Sequence, residues 1–180
     1  MTNKDHEIHK AIRVNHAGEY GAKMIYHGQL AVFKIKSDQQ NVDLILHMKD
    51  QEEVHFDYFN QKIIAGKIRP TLMQPIWKIC GLALGATTAL MGKKAAMACT
   101  VAVEEVIDEH YQKQLDNLPD LPDEKSDDSL KNKIAQFRKE ELEHRNIGIE
   151  NQAQELLIYK PLTFFIKKAS KLAILISSKI

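Results

Sequence analysis

The sequence contains few residues that interrupt helices, with 8 glycines and 5 prolines among 180 residues. Alanine, leucine, isoleucine, lysine and glutamate are frequent instead, which favours long helices over a sheet-rich fold. A chain of this length is most simply one domain with a sizeable core. We therefore predict a single all-α domain over residues 1–180.

The sequence also lacks a large excess of either charge. It has 25 Lys and Arg residues against 24 Asp and Glu residues, so we expect no nucleic-acid partner. Its two cysteines, Cys80 and Cys99, lie in apolar stretches without C-x-x-C spacing, which favours buried, reduced thiols over a structural disulfide. The first ten residues resemble neither a signal peptide nor a transit peptide, so we expect the protein to stay where it is made.

Apolar residues recur at helical spacing in four segments. These segments are a helix around Glu19, one from about Gln39 to Ala65, one after Lys93, and one from about Ser129 to Leu157. An acidic loop is predicted at residues 116–128, which hold six acids, two prolines and one lysine. Two further segments, roughly 72–92 and 162–180, are more apolar. The pattern predicts a four-helix core with two additional apolar helices.

One pattern occurs twice, a lone glutamate followed 33 or 37 residues later by Glu-x-x-His. Its members are Glu19, Glu52, His55, Glu104, Glu141 and His144. A Glu and a His three residues apart lie about 60° apart around an α-helix, so both can reach one cation. Four helices that each offer a carboxylate, two of them adding an imidazole, can hold two iron or manganese ions.

The alternative is that the repeated pattern arose by chance, because Glu-x-x-His also occurs on solvated helices. All six residues, however, lie on stripes of otherwise apolar residues, and burying four uncompensated carboxylates would cost several kcal/mol each. Two divalent cations would leave the site nearly neutral, and one imidazole per ion suits iron or manganese. We interpret Glu52 and Glu141 as bridging ligands, and Glu19 and Glu104 as ligands that each cap one ion.

The remaining acids and histidines near this pattern have less specific interpretations. Four glutamates near the pattern are expected to face solvent: Glu53, Glu105, Glu140 and Glu143. Three histidines without a partner at ligand spacing are expected to be ordinary helix residues: His16, His27 and His47. His110, next to Tyr111, lies two helical turns from Glu104. A contact to a metal ligand, a contact to substrate, and plain packing all remain open for this pair.

The two halves of the chain look duplicated. The residues that follow the lone glutamates at identical offsets are Tyr26, Gln29 and Leu30 after Glu19, and Tyr111, Gln114 and Leu115 after Glu104. We predict an internal repeat at roughly 12–65 and 97–157, with the two half-sites related by a local two-fold axis.

The apolar helices have a distinct charge pattern. No acidic residue occurs between Tyr58 and Val103 or from Leu156 onwards, whereas lysines are frequent in both stretches. Lysine-flanked apolar helices suit the surface of an anionic bilayer. The longest uncharged run, residues 79–92, has 14 residues and is too short to span a bilayer, which takes about 20. We predict that these helices face a membrane; the alternative is that they bury each other on the bundle.

Four motifs resemble those of the demethoxyubiquinone hydroxylase family of ubiquinone biosynthesis. They are RVNHAGEYGA at 13–22, RPTLMQPIW at 69–77, LALGATTALMGKKAAMACTVAVEE at 82–105 and EELEH at 140–144. The resemblance covers nearly the whole chain from about Ile12. It implies a ferritin-like bundle in which the six residues of the repeated pattern bind two iron ions, and it includes the His110–Tyr111 pair.

The resemblance also implies an activity and a location. The activity is that of a 3-demethoxyubiquinol 3-hydroxylase, a monooxygenase that uses O2 on the ring of demethoxyubiquinone or its quinol. The location is peripheral, on the cytoplasmic face of a bacterial inner membrane or the matrix side of the mitochondrial one. Other ubiquinone-biosynthesis proteins are candidate partners. Because the sequence has no Gly-x-Gly-x-x-Gly or flavin motif, we expect an external reductant.

Two other classes of function fit part of the pattern. One is a different di-metal activity on the same scaffold, such as peroxide reduction, dismutation or iron oxidation for storage. The other is a metal-free helical adaptor that binds a membrane or a partner protein.

Overall fold

The computed structural model describes residues 3–118 and 129–180, which are helical almost throughout. The helices are α1 (Asn3–Ile35), α2 (Gln39–Ala65), α3 (Gln74–Leu90), α4 (Lys93–Asn117), α5 (Leu130–Glu150) and α6 (Tyr159–Ser177), with a short 3-10 helix at Ala153–Glu155. No β-strand occurs in these two ranges, so the all-α prediction is confirmed. Most of the predicted acidic loop, residues 119–128, lies outside the described residues.

The boundaries of α2 follow directly from its flanking residues. Asp38 caps the N-terminus, where its side chain accepts a hydrogen bond from the backbone N–H of Asn41 at 3.3 Å. Gly66 is the C-terminal cap. Both ends lie where the sequence predicts them.

Helix α5 is shorter than predicted. It ends at Glu150 rather than near Leu157. The Asn151 side chain donates to the carbonyl of Ile147 at 2.8 Å, and Gln152 has a φ of +66°, in the left-handed region. This conformation stops an α-helix, and the chain makes a 3-10 turn before α6.

Both predicted apolar helices form, with shifted ends. The segment predicted at 72–92 becomes α3, and the segment predicted at 162–180 becomes α6, which begins earlier, at Tyr159. Pro161 lies in the first turn of α6, where a missing N–H leaves no helical hydrogen bond unmade. Neither helix, nor any other in the described part of the chain, combines the length and the hydropathy needed to cross a bilayer.

The helices pack as two similar groups. Helix α1 packs on α2 and α3, α4 packs on α5 and α6, and α2 also contacts α5. The predicted apolar stripes face the interior: Ile12, Ala22, Tyr26, Leu30, Phe33, Ile45, Met48, Phe59, Ile63, Met97, Val101, Tyr111, Ile134 and Phe137 are buried. Cys99 is buried as predicted, whereas Cys80 is exposed because α3 packs on the bundle along only part of its surface; both thiols are free.

Glycines allow α1 and α3 to touch along their backbones. A Cβ built on Gly85 would lie 1.9 Å from the carbonyl oxygen of Ile25, and one built on Gly28 would lie 2.3 Å from the carbonyl oxygen of Leu82. Real Cβ atoms do not approach backbone oxygens this closely. The position of α3 against the bundle therefore depends on these two glycines.

We expect Gly85→Ala to lower the free energy of unfolding by about 3 kcal/mol, because the added methyl must push two helix backbones apart. Denaturant unfolding monitored by circular dichroism measures this. The matched control is Ala83→Ser on the exposed face of the same helix, which should change stability by no more than about 0.5 kcal/mol. A Gly85→Ala variant as stable as the wild type would contradict the close approach.

Candidate metal centre

Six titratable side chains from four helices meet at the centre of the bundle. They are Glu19 from α1, Glu52 and His55 from α2, Glu104 from α4, and Glu141 and His144 from α5. None of the six is more than 1% exposed. These are the six residues of the repeated pattern, and the fold brings all of them together.

The six residues form two overlapping groups, each of which can hold a metal ion. The first contains Glu19, Glu52, His55 and Glu141, and the second contains Glu52, Glu104, Glu141 and His144. Within each group, one candidate ligand atom per residue lies within 4.8 Å of the others. Glu52 and Glu141 belong to both groups.

Both histidines turn Nδ1 toward the carboxylates. Nδ1 of His55 lies 3.1 Å from Oε1 of Glu141 and 3.6 Å from Oε2 of Glu19. Nδ1 of His144 lies 3.2 Å from Oε1 of Glu52 and 3.3 Å from Oε2 of Glu141. The inner nitrogen of each ring is thus positioned among the carboxylate oxygens.

The outer nitrogens have partners that the sequence analysis did not assign. Nε2 of His55 lies 2.5 Å from Oε2 of Glu140, and Nε2 of His144 lies 2.8 Å from Oε1 of Gln51. The expectation that Glu140 faces solvent was wrong, because its side chain, 26% exposed, reaches a buried imidazole. An acceptor at Nε2 favours the tautomer that leaves the Nδ1 lone pair free for a cation.

A signal for these partners was present in the repeat. Gln51 and Glu140 each stand one residue before the glutamate of a Glu-x-x-His pair. Each contacts the histidine of the other pair. The two contacts therefore cross between α2 and α5.

Two buried tyrosines also cross between the halves. Tyr26 donates a hydrogen bond to Oε1 of Glu104 at 2.8 Å, and Tyr111 donates one to Oε1 of Glu19. Burial, followed by the negative charge of the nearby glutamate, raises the pKa of both tyrosines well above the usual value. They remain neutral donors that fix one oxygen of each lone glutamate.

His110 lies in an amide network beside Tyr111. Its Nε2 is 3.2 Å from Oδ1 of Asn15 and 2.8 Å from Nε2 of Gln114, and the two amide side chains exchange hydrogen bonds of 2.8 Å. Burial lowers the pKa of His110 to about 4, so it is neutral at physiological pH. His110 thus contacts buried amides, whereas its neighbour Tyr111 contacts a candidate ligand.

The other residues that the sequence analysis set aside lie outside both groups. Glu53 pairs with Lys23, Glu105 pairs with Lys167, and Glu143, His27 and His47 are exposed. His16 is buried, and its ring centroid lies 4.8 Å from that of Phe56.

The pKa values of the cluster residues shift in different directions. Burial, followed by repulsion from Glu141, raises the pKa of Glu52 and Glu104 well above the usual range. Burial acts the same way on Glu141, but the adjacent imidazoles of His144 and His55 lower its pKa. Burial opposes charge on the imidazoles, yet the surrounding carboxylates raise the pKa of both histidines.

The residues fit a pair of divalent cations. One or both carboxylate oxygens of Glu19, Glu52, Glu104 and Glu141, and Nδ1 of His144, are buried without a hydrogen-bond partner. Leaving such groups unpaired costs about 1–3 kcal/mol each, and more when they are charged. Cations would offset this cost, and a donor set of carboxylates with one imidazole per group suits iron or manganese.

An all-α bundle with a buried carboxylate–imidazole cluster at its centre defines a class of helical proteins that can hold metal ions. Comparison with known proteins identifies the family. Residues 6–177 match the family described as "Ubiquinone biosynthesis protein COQ7", and the chain belongs to this family. The predicted family resemblance is therefore confirmed.

Individual relatives cover nearly the whole chain. The chain is 49% identical over 175 residues to the "3-demethoxyubiquinol 3-hydroxylase" of Rhodospirillum rubrum, covering 96% of this chain and 78% of the relative. It is 47% identical over 173 residues to the "NADPH-dependent 3-demethoxyubiquinone 3-hydroxylase, mitochondrial" of Dictyostelium discoideum (96% and 77% covered). The Homo sapiens protein of the latter name is 43% identical over 173 residues (96% and 78% covered).

The shifted pKa values predict how stability depends on pH without metal. Glu52, Glu104, His55 and His144 all have pKa values raised above 4.5 or 6.5, their usual values. Each favours folding below its unfolded pKa and loses that contribution as pH rises toward the folded pKa. The lowered pKa of Glu141 contributes stability that is already fully present above 4.5. The summed contribution of these groups to the free energy of unfolding must therefore fall as pH rises above 6.5.

We expect the Tm of the chelator-treated protein to be lower at a pH of about 8.5 than at about 6.5. The double variant Glu52→Gln/Glu104→Gln should show a smaller decrease, since two of the titrating groups are gone. The matched control Glu53→Gln, outside both groups, should keep the wild-type decrease. Thermal unfolding at both pH values measures this, and a Tm that rises with pH would contradict the assignment.

Proposed function

We propose that this chain is a 3-demethoxyubiquinol 3-hydroxylase that acts in ubiquinone biosynthesis and carries two iron ions. The observation that carries the proposal is the pair of buried Glu/His groups that share Glu52 and Glu141. Family membership and the names of the relatives support the substrate and the reaction. One atom of O2 enters a C–H bond of the quinol ring, and the other leaves as water with two electrons and two protons from an external reductant.

The cluster supports one ligand set for each ion. Glu19 and His55 would hold one ion, Glu104 and His144 would hold the other, and Glu52 and Glu141 would bridge them. When bound, the iron pair would supply the electrons and the coordination sites needed to activate O2. We propose a ferritin-like arrangement for the four helices that carry these ligands.

The surrounding residues keep the ligands in position. Tyr26 and Tyr111 each hold one oxygen of a lone glutamate and leave the other oxygen without a hydrogen-bond partner. Gln51 and Glu140 hold the outer histidine nitrogens, which fixes the orientation of both rings. These contacts prepare the metal ligands before any cation arrives.

An apolar cavity next to the cluster suits the substrate ring. It has a volume of about 280 Å³, lies between α1, α3, α4 and α6, and is lined almost entirely by apolar residues. Two of its lining residues, Gly18 and Val103, directly precede Glu19 and Glu104. A ring in this cavity would lie against the helical turns that carry two of the carboxylates.

The outer faces of α3 and α6 suit a lipid surface. Large apolar side chains are exposed there, among them Ile76, Ile79 and Leu90 on α3 and Phe164, Phe165 and Leu175 on α6. The stretches 59–102 and 156–180 contain no acid that would repel anionic lipid. Peripheral attachment would let the isoprenoid tail of the substrate remain in the bilayer while its ring enters the cavity.

The lysines of the C-terminal stretch 156–180 divide into two sets. Lys167 and Lys171 pair with Glu105 and Glu109 of α4, and these pairs fix α6 to the bundle. The exposed Lys160, Lys168 and Lys179 remain to contact lipid phosphates.

We propose that the attachment is to the cytoplasmic face of a bacterial inner membrane, or to the matrix side of the mitochondrial inner membrane if the chain is eukaryotic. The names of the Dictyostelium and human relatives support the mitochondrial alternative, and they support NADPH as the external reductant. Other ubiquinone-biosynthesis proteins remain candidate partners at the same apolar surface.

The proposed internal repeat, roughly 12–65 and 97–157, has support from the crossed contacts. Tyr26 and Tyr111 occupy the same offset from Glu19 and Glu104, and each binds the glutamate of the other half. Contacts that cross in this reciprocal way are those expected for half-sites about a local two-fold axis.

We expect Glu52→Ala and Glu141→Ala each to abolish hydroxylation and to lower bound iron from about two ions per chain to fewer than one, because both ions lose a shared ligand. Iron content is measured by atomic absorption, and hydroxylation by chromatography of the quinone products. Glu143→Ala, on the exposed side of α5, is the matched control and should keep both properties. Two ions and full activity in either cluster variant would refute the bridging role.

We expect Phe164→Ser/Phe165→Ser to reduce binding to anionic liposomes at least fivefold, because both side chains are exposed on the proposed lipid-facing surface. Co-sedimentation with liposomes measures the bound fraction. Val54→Ser, which removes an exposed apolar side chain from α2, should bind as the wild type does. Unchanged binding of the double variant would mean that another surface attaches the protein.

A further inference from the structure

Two of the eight glycines lie inside a helix without any packing reason. Each of the other six has a packing or a conformational reason. Gly28, Gly81, Gly85 and Gly148 face atoms of another helix less than 3.0 Å from a built Cβ, Gly66 caps α2, and Gly92 has a φ of +112°. Among the glycines inside the described helices, only Gly18 and Gly21, both within α1, have nothing within 4 Å of a built Cβ. A glycine inside a helix costs stability relative to alanine, so these two positions need another explanation.

Both glycines border the apolar cavity beside the metal centre. They lie three residues apart, on one side of α1, and both line the space of about 280 Å³. Gly18 is adjacent in sequence to Glu19, whose carboxylate belongs to the cluster. The cavity therefore reaches the bare backbone of α1 at the turn that carries a candidate metal ligand.

We propose that Gly18 and Gly21 form the surface on which the six-membered ring of the quinone substrate lies, and that their missing side chains set the size of the ring that the enzyme accepts. This inference rests on the proposed function and adds the residues that determine ring specificity. The occupant is a flat, uncharged, substituted ring, because the lining of the cavity is almost entirely apolar.

The physical reason is the distance at which a ring can approach the helix. A Cβ extends about 1.5 Å from its Cα, so two alanines on this side of α1 would hold a flat ring away from the backbone. Helix α6 lines the same cavity with the small residues Ala169 and Ala173, which leave room for ring substituents. A methyl group at residue 18 or 21 would remove space that the substrate needs without touching any protein atom.

The single tryptophan provides a measurement that does not depend on activity or on metal. Trp77 lines the cavity and is the only tryptophan in the chain. Quinones quench tryptophan fluorescence on close approach. The probe is oxidised demethoxyquinone with a one-isoprene tail, titrated into the full-length protein while Trp77 emission is recorded.

We expect saturable quenching in the wild type and a Kd at least tenfold higher in Gly18→Ala and in Gly21→Ala. A quinone analogue that lacks the ring methyl should bind both variants within threefold of its wild-type Kd, because the smaller ring makes room for the new methyl. The control Ala31→Ser adds one heavy atom to the exposed side of the same helix and should leave the Kd unchanged. Tm should not fall in either glycine variant, because a built Cβ meets no neighbour.

Two sets of binding results would overturn the inference. Wild-type Kd values in both alanine variants, or no saturable quenching of the wild type, would overturn the inference. A lowered Tm together with weaker binding of both the probe and the smaller analogue would assign the glycines a structural role and would also overturn it. Hydroxylation by the iron-loaded wild type tests the proposed function separately, so an inactive wild type and an unaffected Kd in the variants are distinguishable failures.

Discussion

The fold depends on how four buried carboxylates are kept in an apolar interior. Glu19, Glu52, Glu104 and Glu141 come from four different helices and meet in the buried interior of the bundle. Without cations, their charge is balanced only by retained protons and by two imidazoles, as the raised pKa values of Glu52 and Glu104 indicate. Divalent cations could stabilise such a group, since they would remove the desolvation cost at every member at once.

The contacts around the cluster explain how six side chains from separate helices keep their positions. Tyr26 of α1 holds Glu104 of α4, and Tyr111 of α4 holds Glu19 of α1. In the same way, residues of α2 and α5 hold each other's histidines. Every one of these contacts joins one half of the chain to the other, so the positions of the cluster residues and the packing of the two halves are fixed together.

Periodicity was sufficient to predict the residues that face the interior. All six cluster residues and most of the apolar stripe residues are buried, because an α-helix turns by a constant angle per residue and one stripe specifies the whole face. The positions of the α2 ends also followed from local residues such as Asp38 and Gly66.

Features that depend on how the helices pack against one another could not be predicted from the sequence. Glu140 lies next to Glu141 in sequence and was expected to face solvent, yet it reaches a histidine on α2, because the rotation of α5 against α2 decides which neighbouring acid is near. The early end of α5 depends on the left-handed conformation of Gln152, a residue type that seldom adopts it. The apolar cavity lies where α3, which packs mainly on α1, and α6, which packs mainly on α4, leave a space between them, and no local sequence pattern specifies that space.

Helix α1 carries both a residue of the buried cluster and three glycines. One side contributes Glu19 to the buried cluster, and its later turns carry Gly28, where α3 approaches the backbone. A Cβ at Gly18 or Gly21 would meet no neighbouring atom, and both residues line the apolar cavity. A helix with three glycines would be weak in isolation, so its stability must come from packing against α2 and α3. Those contacts offset the loss of helix stability that glycine causes at positions 18 and 21, on either side of Glu19.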